Sequence, residues 1–372
     1  MRTLLGIFAG VLGLAVAVAS VTNVQTGSTP AYARPPLTGA GGVQDLELRG
    51  GPHRAHYGVM EGQLFLGIAN PPPTPSPPPS DPPLPWTVIG APDTGNSAGY
   101  FNAVRRDGAG RATVWLPGLD PEVIGAVLVT AAGPAAGFCK AAQMGPSPTE
   151  HPGVDVHVAC FDPAGNPLST GFSLTYTRPA ARIVGSGGWV RAGDQFNSAG
   201  GQNTTTRVAS GSYLVRMPGL GGPGGHAQVS ATGSSSNWCK VSRWYAAGVD
   251  ELVAVRCFTP GGTPADSTFN LVFARDTDAA LTSNRAAAFY VSSADPDAAF
   301  VTSTRTGGGV TIERLAPGRY HVRAPLDLTG GVAHAAALGE GTERCRVLGW
   351  NNTDGVQVTC SADTAFTVAW SS

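Results

Sequence analysis

The chain has 372 residues, enough for two to four domains, and a formal net charge of −1. That balance offers no electrostatic case for nucleic acid or an anionic membrane surface as partner. Charged residues are only 13%, beside 51 glycines and 31 prolines, which disfavours a helical protein and suits short strands joined by many turns. Lysine occurs only at Lys140 and Lys240; nearly all other positive charge is arginine, and with abundant Ala, Gly and Pro this points to a GC-rich bacterial genome.

Residues 1–33 read as a secretory signal and its flank. Arg2 supplies the positive end, and Leu4 to Ala19 is an apolar run short for a membrane span. Cleavage is expected after Ala19 or after Ala33, the alternative being retention as an N-terminal anchor. Residues 34–70 are too few to bury a core of their own; they read as an unstructured arm or as a hairpin docked elsewhere. Within them, His53 and His56 have i, i+3 spacing, but the surrounding glycines argue against the helix that a metal pair would need. Residues 71–85 contain ten prolines and form a polyproline-II spacer that spans roughly 45 Å at ~3.1 Å per residue.

The remainder is repetitive. Asn96-Ser97-Ala98-Gly99 recurs as Asn197-Ser198-Ala199-Gly200, and Pro117-Gly118-Leu119 as Pro218-Gly219-Leu220. Phe172-Ser173-Leu174 recurs as Phe269-Asn270-Leu271 and, more loosely, as Phe366-Thr367-Val368. A third copy keeps Gly318-Arg319-Tyr320, matching Gly211-Ser212-Tyr213. Three units follow, 86–178, 179–275 and 276–372. Each carries several short strand candidates separated by turns such as D-P-A-G-N-P (162–167). That spacing predicts an all-β chain: a tandem array of three antiparallel β-sandwich, immunoglobulin-like modules.

Each unit contains one hairpin bounded by cysteines. Strand side chains alternate between faces, so Val154, Val156, Val158 and Cys160 share a side, as do Val253, Val255 and Cys257. Folding each hairpin on itself sets its first and last residues opposite one another, close enough for a disulfide at a non-hydrogen-bonded position. The repeat therefore selects Cys139–Cys160, Cys239–Cys257 and Cys345–Cys360 from the 15 pairings six cysteines allow. An oxidising compartment is implied.

The units resemble a group of uncharacterised secreted repeat proteins from high-GC bacteria, chiefly actinomycetes. The residues that carry the likeness are F-N-S-A-G-G (196–201), G-S-Y-L-V-R-M-P-G-L (211–220), Q-V-S-A-T-G (228–233), C-K-V-S-R-W (239–244) and V-A-V-R-C-F-T-P-G-G-T-P-A-D-S-T-F (253–269). The second unit matches best and the third loosely, lacking the P-G-L and the phenylalanine after its last cysteine. The resemblance implies secretion and β-modules, but no activity and no site.

No repeated catalytic set is legible. Gly95-Asn96-Ser97-Ala98-Gly99 fits the G-x-S-x-G string, but a nucleophile elbow needs a strand before it and a helix after it, and here a turn precedes and a strand-like segment follows. None of the seven histidines recurs in all three units. Asp276, Asp278, Asp295 and Asp297 lack a third acid in calcium-loop register. No cofactor is implied. Trp244 and Trp350 stand five residues after the first cysteine of their units, where the first unit has Met144; strict alternation turns them away from the cysteine face. Exposed there, they would be ligand-binding residues that stack on a sugar; otherwise they cover the hairpin. The Lys or Arg after each first cysteine reads as one partner of a structural ion pair. The sequence thus points to a secreted, non-enzymatic cell-envelope or extracellular interaction protein. Its expected partner is a cell-wall or extracellular polymer or a surface protein, with no membrane span once the signal is removed. A carbohydrate- or polymer-binding array is the alternative, and a hydrolase using Ser97 a remote one.

Overall fold

Short alternating segments punctuated by Gly and Pro turns become strands throughout. The computed structural model describes residues 59–60, 86–89, 96 and 100–371, apart from breaks at 121, 123–124, 149–152, 179–184, 278–280, 282–287, 294–300, 305–308 and 330. The signal segment, the proline-rich spacer, Ser97, Asp278, Asp295, Asp297 and the His53/His56 pair lie outside the described residues. No helix occurs among the described residues. None is therefore long and apolar enough to cross a membrane.

The first stretch contributes β1 (Val59–Met60), β2 (Thr87–Ile89), β3 (Asn102–Gly108), β4 (Arg111–Pro117), β5 (Ala126–Ala132), β6 (Phe138–Pro146), β7 (Gly153–Phe161) and β8 (Gly171–Thr177). The second contributes β9 (Ser186–Arg191), β10 (Asp194–Asn197), β11 (Thr204–Ala209), β12 (Ser212–Met217), β13 (His226–Ala231), β14 (Trp238–Ala247), β15 (Asp250–Phe258) and β16 (Phe269–Arg275). The third contributes β17 (Ala288–Ser293), β18 (Val301–Thr304), β19 (Thr311–Ala316), β20 (Arg319–Arg323), β21 (Val332–Ala337), β22 (Cys345–Asn351), β23 (Gly355–Cys360) and β24 (Phe366–Ser371).

In the second stretch the sheet β11-β12-β15-β14 packs on the sheet β10-β9-β16-β13. The first stretch repeats this with β2-β3-β4-β7-β6 against β8-β5, and the third with β19-β20-β23-β22 against β18-β17-β24-β21. Val59–Met60 adds a short edge to β8, opposite Leu174 and Thr175. Part of the 34–70 segment is therefore docked on the first stretch.

All three disulfides form as the repeat requires, Cys139–Cys160, Cys239–Cys257 and Cys345–Cys360, each joining residues in direct register. The backbone N–H of Cys160, Cys257 and Cys360 donates away from the bridge, to the carbonyls of Gly110, Gly211 and Gly318. Cysteines at non-hydrogen-bonded positions of a ladder leave their amides free to point outward in this way. Each of those glycines sits in a hairpin turn at φ of +65°, +62° and +68°. A Cβ on any of them would land on the carbonyl oxygen of the facing cysteine, so the turn and the bridge are coupled three times over.

The stretches do not lie as beads on a string; they belong to one compact unit. Single parallel β-bridges run in a ring: Ala141 with Thr232, Val241 with Leu338, and Val347 with Ala132. In every case the partners stand two residues after the first cysteine of one stretch and seven before the first cysteine of the next. The sheets at the centre of this ring are buried on both faces. In β5, Val127, Val129 and Ala131 enter the core of their own stretch, while Ala126 and Leu128 join Trp189, Val272, Ala274, Leu281 and Ala369 in a cluster drawn from all three stretches.

Candidate functional site

Alternation along β13 and β21 sends His226, Gln228 and Ser230, and Val332, His334 and Ala336, toward the meeting of the three stretches. The closing F-x-L strands do the same with their intervening residues, Ser173 and Thr175, Asn270 and Val272, Thr367 and Ala369. Several of these buried polar groups are matched across the interface. His334 bridges Thr130 Oγ1 at its Nδ1 (3.0 Å) and Thr175 Oγ1 at its Nε2 (2.8 Å). Gln228 Nε2 donates to Thr367 Oγ1 (2.8 Å), and Asn270 Nδ2 to the Val127 carbonyl (3.0 Å). Burial holds both His226 and His334 neutral, their pKa values lowered to about 3.

The residue after each first cysteine also crosses to the next stretch. Lys140 Nζ donates to the carbonyls of Thr232 and Asn237, both at 3.1 Å. Lys240 Nζ meets Glu343 Oε2 at 3.2 Å. Arg346 donates to the carbonyls of Gly133 (3.3 Å) and Pro134 (3.0 Å). Among the described residues the expected ion pair thus exists at Lys240 alone; at the other two positions the acceptors are loop carbonyls. Both lysines are only 1% exposed. Between them lies a cavity of about 60 Å³ lined by all three stretches, with Phe138, Trp238 and Arg344 on its wall. The Arg344 guanidinium stands between the Phe138 ring, 5.1 Å to the centroid, and the Trp238 ring, 5.2 Å.

Trp244 and Trp350 do not face away from the cysteines. Each hairpin carries a β-bulge, between Ala141 and Gln143, between Val241 and Arg243, and between Val347 and Gly349. One extra residue reverses the alternation, so Trp244 pairs with Val253 and Trp350 with Val356, on the cysteine face. Trp350 is 4% exposed within the core of the third stretch and is not available for stacking. Met144 packs against the first core and Trp244, half-buried, against the second. Trp244 also lines an open groove of about 770 Å³ at the junction of the second and third stretches, with Arg243, Tyr245, Glu251, Leu338 and Gly339. Tyr245 is exposed, with the Arg243 guanidinium 5.9 Å from its ring centroid. Burial raises the Glu251 carboxyl to about 7, against the opposing pull of Arg275 Nη1 at 4.0 Å.

The N-S-A-G and P-G-L signatures serve one another. Asn96 Nδ2 donates to Asn102 Oδ1 (2.9 Å) and to the Pro117 carbonyl (3.0 Å). Asn197 repeats this with Asn203 Oδ1 (2.8 Å) and the Pro218 carbonyl (2.9 Å). The third unit lacks both strings, as a clamp and its acceptor should be lost together. A further signature lies in the loop after the second cysteine. Asp266 accepts from Arg207, the Gly211 amide and the Tyr213 hydroxyl, and Asp363 from Arg314, the Gly318 amide and the Tyr320 hydroxyl. Their hydrogen bonds to arginine lead the causes that hold both carboxyls below the usual range, Asp266 at about 2. The first stretch replaces the aspartate with Ser169, whose Oγ accepts from the Gly110 amide.

No protein-family model, no curated protein and no solved structure matches the chain.

Proposed function

We propose that this is an exported, non-enzymatic interaction or structural protein of the cell envelope or extracellular space. In this reading three disulfide-pinned β-sandwich modules close into a pseudo-threefold head, borne on a proline-rich spacer. The observation that carries the reading is what the repeated residues do. The cysteine pairs, the turn glycines, the Asn clamps, the Asp–Arg–Tyr clusters and the cation after each first cysteine all pin a module or join it to its neighbour. Three bridges also fit an oxidising compartment, in keeping with the apolar N-terminal run and the resemblance to secreted repeat proteins.

A second reading, polymer binding, draws on the groove beside Trp244 and Tyr245. Aromatic faces with a nearby arginine and carboxyl suit a polyhydroxylated chain, but the buried Trp350 gives that reading no second, equivalent face. The test is a binding screen of the oxidised protein against cell-wall polysaccharides, a glycan panel and extracted surface proteins. Saturable glycan binding lost in Trp244→Ala would replace the first reading with the second. Binding to a surface protein that Trp244→Ala leaves intact would support the first, and turnover of any glycan or ester would refute it.

A further inference from the structure

The central cavity holds an imbalance of charge. Four ionisable side chains line it: Lys140, Lys240, Glu343 and Arg344. Lys240 and Glu343 neutralise one another across 3.2 Å. Lys140 has no carboxylate within ion-pair distance among the described residues, only two carbonyl oxygens for its three N–H donors. Arg344 donates from Nη2 to the Pro163 carbonyl at 3.5 Å, while its Nη1 is buried without a hydrogen-bond partner. The rings of Phe138 and Trp238 hold that guanidinium in place. Asp162 lends that partly exposed guanidinium some opposing charge, but Lys140 lines the same space as a buried cation with no counter-charge among the described residues. Removing a lone charge from water costs several kcal/mol unless a counter-charge accompanies it.

We propose that this cavity, where the three stretches meet, is a binding site for a chloride ion, held by Lys140 and Arg344. Size selects the class. The cavity measures about 60 Å³, and about 10–15 Å³ of such space holds one water. That is room for a small anion such as chloride with a few waters, and too little for an anion of gluconate's size. Chemistry agrees: an ammonium and a guanidinium edge are donors only, and the one carboxylate on the lining, Glu343, is already paired with Lys240, which leaves the space short of the anionic oxygens a metal cation would need. Burial lowers the Lys140 pKa to about 8, so the ammonium persists at neutral pH and is lost above it. Because the ligands come from the first and third stretches, and Lys140 is itself tied to the second, the ion would act as a bolt for the ring.

The experiment is thermal unfolding of the full, oxidised protein at pH 7 in sodium chloride and in sodium gluconate at equal ionic strength, gluconate being too large to enter. The expected result is a rise in Tm of roughly 2–3 °C for each tenfold increase in chloride above half-saturation, absent in gluconate and fading above about pH 8. Lys140→Met and Arg344→Leu should each abolish the increment. Arg344 is partly exposed, so its variant keeps the test open should Lys140→Met fail to fold. Crystals grown in bromide should show an anomalous peak in the cavity. Equal melting in both salts, a chloride increment that survives both substitutions, or a cavity holding water alone in bromide would overturn the proposal.

Discussion

Acid should part this protein at its centre, and His334 makes the effect measurable. The imidazole bridges Thr130 and Thr175 with both nitrogens, buried where the third stretch meets the first. Its pKa falls from 6.5 to about 3 because burial disfavours the cation. A lowered folded-state value means that between these limits the unfolded chain takes up a proton that the folded chain refuses. Stability is then undiminished above about pH 6.5 and is lost as pH falls. At about 1.4 kcal/mol per pH unit, the loss at pH 4 from this one residue is about 3 kcal/mol. His334→Gln removes the titration while keeping a donor and an acceptor, and the matching position of the second stretch is already Gln228. Guanidinium unfolding at pH 7 should find the variant within about 1 kcal/mol of wild type. At pH 4 the variant should be the more stable by about 3 kcal/mol, less whatever it cost at pH 7. His226, buried at the same interface with a pKa also lowered to about 3, continues to titrate in the variant, so residual acid lability is expected. Parallel pH profiles for the two proteins between 7 and 4 would refute the argument.

Glu251 has the opposite sense. Its carboxyl is raised from 4.5 to about 7, so the folded protein keeps a proton the unfolded chain gives up. Stability therefore declines as pH climbs through that window, and Glu251→Gln should gain up to about 3 kcal/mol above pH 7, read from the same unfolding curves at pH 5 and 8. Gly211→Ala combines a positive φ with a Cβ set on the Cys257 carbonyl; a loss of about 2 kcal/mol or more is expected in chemical unfolding. Gly248→Ala, also at positive φ but facing open space, should cost less. Replacing Cys345 and Cys360 together by serine opens a bridge of sequence separation 15 and should cost roughly 3 kcal/mol. An unchanged unfolding midpoint would mean that the ring interface, rather than the bridge, governs the third stretch.

The amino-acid sequence alone determined the all-β class and the three disulfides. These follow from local rules: alternation, turn residues, and the equality of three hairpins. Alternation failed where one residue was added. The bulges after Ala141, Val241 and Val347 return Met144, Trp244 and Trp350 to the cysteine face, and nothing in C-K-V-S-R-W announces the bulge. The closing of the stretches into a ring was also beyond local reading, although a trace of it is visible in the sequence. The outward positions of the F-x-L strands carry Ser, Thr, Asn, Val and Ala, where a solvated sheet face would carry Lys, Glu or Arg. Lys140, Lys240 and Arg344 acquire a shared cavity only because three segments, each about a hundred residues from the next, meet there. Their chemistry depends on distance and on exclusion of water, and both are properties of the tertiary structure.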